Sequence, residues 1–299
     1  MFKGSWVALI TPYCQNYLID QDALKKLVEW HIGEGTSGIV VGGSTGEGIL
    51  LTPEEHHLII KTCLDVSQER IPIVASVSAI KLEDSLHLAG QAQDLGANGL
   101  MLAPSPYVKP TQDAIVHFMT QVHDQTNLPI IIYNNPGRCS VSINFDTIIR
   151  LSQLSRLVCL KDATGQISEI SRLKAHLPER FTQLCGEDAL NVASLAEGSD
   201  GWISVTANIT PRLCAHLYQA WCEQDFNTFT NIRNLLNPLH RAIFTETSPS
   251  PIKYALARQG FCRDDVRLPL LKATSVAQKA VDQALDFITG PQKTFSLKF

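Results

Sequence analysis

Gly38-Ile39-Val40-Val41-Gly42-Gly43-Ser44-Thr45-Gly46-Glu47-Gly48, closed downstream by Thr52-Pro53-Glu54-Glu55, spells out one complete structural unit. The run Gly38-Ile39-Val40-Val41 is short and does not alternate with polar residues, the pattern of a parallel strand buried on both faces. A glycine-rich turn follows. Thr52 then offers a hydroxyl at the N-cap, Pro53 suits the first helical position, and Glu55 supplies the carboxylate of a capping box. Residues 53–67 continue as an amphipathic helix.

The same alternation of strand and helix extends in both directions. Strand signals fall at residues 6–10, 38–41, 73–76, 99–102, 130–133, 158–161, 181–185 and 202–205. Amphipathic stretches at 21–34, 53–67, 81–95 and 111–126 lie between them, and Gly35 and Gly96 mark helix ends. This many units within about 220 residues fit a closed (β/α)8 TIM barrel better than an open doubly wound sheet. A dinucleotide-binding sheet would need GxGxxG after its first strand, and that turn reads Thr11-Pro12-Tyr13-Cys14. Beyond residue 224 the strand signal stops. Helical patterns at 226–244, 252–258 and 273–288 predict a C-terminal helical subdomain over 225–299, packed on a barrel of residues 1–224. The tail from about residue 290 follows a Gly-Pro stop and is expected to be mobile.

Composition narrows the function classes. The chain has 299 residues, is 44% hydrophobic and 18% charged, and carries a formal charge of -4, so it offers no electrostatic footprint for nucleic acid or an anionic membrane. No apolar stretch approaches a membrane span or a signal-peptide core. The 8 cysteines are scattered without a CxxC pair and read as free thiols of a cytoplasmic protein. His56 and His57 are adjacent and point apart on a helix, so no metal is expected. There is no GxSxG elbow for a serine nucleophile.

In such a barrel the active site forms at the C-terminal ends of the strands. Those positions hold Ser44 and Thr45, Tyr107, Tyr133, Arg138, Lys161, Gly186, and Ile203 through Thr206. Lys161 ends the apolar run Leu157-Val158-Cys159-Leu160. An inward lysine there is desolvated, which favours the neutral amine that carbonyl attack requires. A lone strand-end lysine is more often structural; its neighbours at the barrel mouth change the reading. The Gly42–48 turn gathers backbone N–H groups and hydroxyls suited to a carboxylate or phosphate, and it lacks the GK[ST] of a phosphate-binding P-loop. Tyr133 suits proton transfer, and Arg138, in a Pro-Gly loop, suits a carboxylate clamp.

Taken together, Gly43-Ser44-Thr45-Gly46-Glu47, Tyr133-Asn134-Asn135-Pro136-Gly137-Arg138, Leu160-Lys161-Asp162-Ala163-Thr164-Gly165 and Ile203-Ser204-Val205-Thr206-Ala207-Asn208 resemble the dihydrodipicolinate synthase/N-acetylneuraminate lyase family of class I aldolase barrels. The resemblance runs from Phe2 to about Ile288. The arginine of the YNxPxR loop resembles the synthase branch. That branch joins pyruvate to L-aspartate 4-semialdehyde, giving 4-hydroxy-tetrahydrodipicolinate for lysine and diaminopimelate biosynthesis. The resemblance implies an imine on Lys161 and a pyruvate carboxylate held by Thr45 and Gly46. It further implies a proton relay of Tyr133, Ser44 and Tyr107, and a second carboxylate at Arg138. Gly186 and Ile203 would complete the substrate site. Tyr107 would enter from a neighbouring subunit of a homotetramer built as a dimer of dimers, and no cofactor is implied.

Two departures qualify the match. Ser44 stands where most synthases have threonine, and the Gly-Ser-Thr-Gly-Glu string also occurs in N-acetylneuraminate lyases. A lyase for larger 2-oxo sugar acids therefore stays open as a rival, as does a silent barrel that only binds a 2-oxo acid. In lysine-inhibited synthases an interface crevice carries an asparagine, an acidic residue, a histidine and a tyrosine. Here His56 and Asp84 fit that pattern, while Ile80 and Pro106 replace the asparagine and the tyrosine, so lysine inhibition is expected to be weak or absent.

Overall fold

The computed structural model describes residues 2–290. The strands β1 (Gly4–Ala8), β2 (Gly38–Val41), β3 (Ile73–Ser76), β4 (Gly99–Leu102), β5 (Ile130–Asn134), β6 (Leu157–Asp162), β7 (Thr182–Cys185) and β8 (Gly201–Ser204) close into one parallel barrel. Sequence order is also neighbour order, and β1 pairs with β8 to seal the ring. The fold is the expected TIM barrel.

Helices α1 (Gln21–Gly33), α2 (Pro53–Ser67), α3 (Leu82–Asp94) and α4 (Gln112–Gln125) return the chain after the first four strands. The short α5 (Pro136–Cys139) and α6 (Phe145–Ser152) follow β5, and α7 (Glu169–Lys174) follows β6. Then come α8 (Asn191–Ala196) and α9 (Pro211–Cys222), with α10 (Phe226–Ala242), α11 (Ser250–Arg258) and α12 (Ser275–Thr289) after them. The helix α10 packs on α9 and α12, so the C-terminal helices are fastened to the barrel wall. The tail expected to be mobile from about residue 290 lies outside the described residues.

Two-sided burial explains why the strands read as continuous apolar runs. Residues of one parity, among them Trp6, Val40, Val74, Met101, Ile131, Cys159, Leu184 and Ile203, fill the barrel interior. Those of the other parity, such as Val7, Ile39, Ile73, Leu100, Ile132 and Leu160, face the helices. Phe2 and Trp6 pack edge to face at 5.4 Å inside the barrel near the start of β1, so the interior is a packed core rather than a channel.

Sequence and structure differ at strand and helix ends. The first strand lies two residues earlier than its apolar run, because Ile10 has left the ladder and donates its N–H to the Asn208 side chain at 3.0 Å. The helix α11 starts at Ser250 rather than residue 252, since proline at a helix start forfeits no hydrogen bond. The Thr52 capping box forms as read, with Glu55 N–H donating to Thr52 Oγ1 and Thr52 N–H to Glu55 Oε2. All 8 cysteines are free thiols.

Candidate active site

Lys161 and Tyr133 are paired across β6 and β5, so both side chains enter the barrel at one level. Lys161 is 3% exposed, and its Nζ lies 4.3 Å from the centre of the Tyr133 ring. Among the described residues Nζ forms no ion pair. A buried amine held against a phenol ring and left without a carboxylate is poised for covalent chemistry rather than for holding the fold together.

Tyr133 borders a cavity of about 330 Å³, with Ser44, Arg138 and the Gly42 turn on its walls. The phenol oxygen accepts a hydrogen bond from Asn135 Nδ2 at 2.6 Å, which leaves the Tyr133 O–H free to donate into the site. Asn135 Oδ1 in turn accepts from the Arg138 N–H at 3.1 Å and caps α5. One asparagine thus sets both the tyrosine and the arginine loop. Its signal was present in the sequence, as an asparagine at N-cap before Pro136, yet its link to Tyr133 was not foreseen. Arg138 reaches the Ser248 carbonyl at 3.1 Å through Nη2, so the segment before α11 steers the guanidinium.

The Gly42–48 turn folds back on itself. A Cβ at Gly48 would sit 1.7 Å from the Gly42 carbonyl oxygen, so only glycine closes the loop. Within it, Glu47 N–H donates to Ser44 O, Gly48 N–H to Gly43 O, and Thr11 Oγ1 to the Gly46 carbonyl. The amides of Ser44, Thr45 and Gly46 have no acceptor among the described residues. Thr45 and Gly46 are buried. Converging N–H groups without partners form a nest for an anion.

Gly186 packs against Lys161. A Cβ there would lie 3.1 Å from Lys161 Cε, 2.9 Å from Ala163 Cβ and 3.0 Å from Asp162 O. We expect Gly186→Ala to push the Lys161 arm aside. Turnover should fall at least about tenfold, with overpacking costing about 1–3 kcal/mol of stability. Steady-state kinetics beside a thermal melt checks this, and wild-type turnover in Gly186→Ala would show that the arm has room. Asp162 follows Lys161; burial raises its carboxyl above the usual range, against hydrogen bonds from Thr164 that lower it.

Ile203 lies in the interior layer below the site. Tyr107 does not join the cluster within one chain: it is 85% exposed and has a φ of 72°. Val108, Ile49 and Ile80 are also exposed. His56 is turned inward, with Nε2 2.8 Å from the Ser76 carbonyl and its ring against Gly42. Burial lowers the His56 pKa.

A family model described as Dihydrodipicolinate synthetase family matches residues 1–288. The chain belongs to that family. Among its relatives, the 4-hydroxy-tetrahydrodipicolinate synthase of Rhodospirillum centenum is 43% identical over 285 residues, covering 95% of this chain and 98% of the relative. The dihydrodipicolinate synthase of Aquifex aeolicus superposes with a TM-score of 0.92 at 35% identity, over 95% of this chain and 97% of that one. The enzyme of Acinetobacter baumannii, described as chloride inhibited and complexed with pyruvate, gives a TM-score of 0.93 at 35% identity, over 96% and 99% of the two chains. Among the described residues, no helix is long and apolar enough to cross a membrane.

Proposed function

We propose that this chain condenses pyruvate with L-aspartate 4-semialdehyde, through an imine on Lys161, to give 4-hydroxy-tetrahydrodipicolinate. The observation that carries the reading is the buried Lys161 amine, without an ion pair among the described residues and set over the Tyr133 ring, within a chain of this family. The amine attacks the C2 carbonyl of pyruvate and water leaves, giving a protonated imine. That imine is an electron sink, so a methyl proton departs and an enamine forms. The enamine carbon attacks the aldehyde. The amino group of the second substrate then adds to C2, displaces Lys161 and closes the ring.

Each remaining side chain has a part in this sequence. The Ser44, Thr45 and Gly46 amides, with the Thr45 hydroxyl, receive the pyruvate carboxylate. Tyr133 and Ser44 carry protons between the reacting carbons and Tyr107, which enters from a second copy. The exposure of Tyr107 and of the apolar Val108, Ile49 and Ile80 supports that exchange within a homotetrameric dimer of dimers. Arg138 receives the carboxylate of the aldehyde substrate, while Gly186 and Ile203 shape the pocket beside and below Lys161. On this reading the barrel within residues 1–224 carries the chemistry, the described helices between residues 225 and 290 brace it, and the enzyme works in the cytoplasm.

Purified protein supplied with both substrates should form a product that a downstream reductase oxidises NADPH to consume. Cleavage of N-acetylneuraminate without condensation would overturn the reading. In the same assay, millimolar lysine should reduce the rate by less than about twofold. An inward His56, and Ile80 and Pro106 in place of polar groups, leave the α-amino acid few partners. Half-inhibition below a millimolar would contradict this.

A further inference from the structure

Glu47 presents a conformational oddity. It has φ 57° and ψ 30°, in the left-handed region, although Gly46 and Gly48 flank it and glycine would adopt that backbone without strain. A side chain kept at such a position is there for what it reaches. Its carboxylate is wholly buried, with Oε1 accepting from Lys253 Nζ at 2.5 Å and Oε2 from the Arg267 N–H at 2.9 Å.

Lys253, on α11, is equally buried. Its ammonium also donates to the Asp265 carbonyl at 2.8 Å and stands 3.9 Å over the Tyr13 ring. Burial lowers the Lys253 pKa, and Glu47 pulls it back up. The pair lies 206 residues apart in sequence and joins the C-terminal helices to the far end of the Gly42–48 turn. At its near end the turn continues β2, and Thr11 holds its middle. The Lys253 tether therefore adds a fixed point just beyond Gly46, alongside the capped start of α2. It also neutralises a carboxylate that, unpaired, would repel an anion one residue away.

We propose that Glu47, clamped by Lys253, is a positioning residue that holds the Ser44–Thr45–Gly46 amides in the geometry that receives the pyruvate carboxylate. Pyruvate affinity is then set from α11, outside the strands and their turns. This rests on the pyruvate reading given above. The pair makes no contact with Lys161 or Arg138, so the imine chemistry is left alone; because α11 follows the Ser248 carbonyl that holds Arg138, the second substrate is read beside the first, and the pair governs pyruvate far more than aspartate semialdehyde.

The test uses the full-length chain and measures, against pyruvate concentration, the Lys161 adduct trapped by borohydride. In the double variant Glu47→Gln with Lys253→Met, which removes both buried charges together, the half-saturating pyruvate concentration should rise about tenfold or more. Trapping at saturating pyruvate and the KM for aspartate semialdehyde should stay within about twofold. Glu47→Asp alone keeps the carboxylate charge opposite Lys253 on a shorter arm and should rise less, so it serves as the conservative variant and as the measurable one if the double variant melts below assay temperature. Unchanged half-saturation in a folded double variant, or an equal loss in both substrates, would overturn the proposal while leaving the pyruvate reading in place. A wild-type chain that forms no adduct would remove the reading and the proposal together.

Discussion

Lys161→Ala leaves a folded barrel without condensation activity. The expected loss in kcat is roughly 10³-fold or more, the scale reached when a covalent nucleophile is deleted from a site that otherwise remains intact. Stability should change little or improve. Among the described residues Lys161 has no ion pair to lose, and burying an amine without a counter-charge costs folding energy. A melting temperature at or above that of wild type, beside vanished turnover, would separate the chemical role from a structural one. Lys161→Arg makes a useful companion, because it keeps a cation near Tyr133 but offers no amine able to form an imine. It should be as inactive as the alanine variant. Residual activity in Lys161→Arg above that of Lys161→Ala would mean that charge, rather than nucleophilicity, is what the position supplies.

Arg138→Ala should fail differently. The guanidinium borders the cavity and is steered by the Ser248 carbonyl; on the proposed function its loss removes a charge-assisted, two-pronged contact to the carboxylate of the aldehyde substrate. At about 3 kcal/mol for such a contact, kcat/KM for aspartate semialdehyde falls roughly 10²-fold. The KM for pyruvate should move little, because the proposed function puts the pyruvate carboxylate in the amide nest of the Gly42–48 turn. Lys161 should still be trapped by borohydride with pyruvate alone. Arg138→Lys should recover only part of the loss, since an ammonium cannot present the planar fork. A variant that loses pyruvate trapping would place Arg138 on the wrong substrate.

The barrel was legible because its physics is local. Residues 38–41, 73–76 and 99–102 read as strands and are strands to the residue, each buried on both faces and bounded by turn chemistry. Ends blurred where side chains from distant segments compete for the ladder, as Asn208 does at Ile10. The juxtaposition of Tyr133 and Lys161 also followed from order, since consecutive strands of a barrel are neighbours. The clamp of Glu47 by Lys253 was not legible. Lys253 occupies a short, mostly apolar helix whose period does not single it out, and nothing nearby in sequence marks its partner. Asn135 lay between the two cases: its capping position was readable, while its bond to the Tyr133 phenol depended on the loop geometry.

The central claim is an imine on one named lysine. Incubating the purified protein with pyruvate and borohydride, then mapping the modified peptide by mass spectrometry, tests it most directly. The account predicts a single reduced pyruvyl adduct on Lys161, absent from Lys161→Ala. A folded protein that carries no adduct at Lys161, or carries it on another lysine, would contradict it.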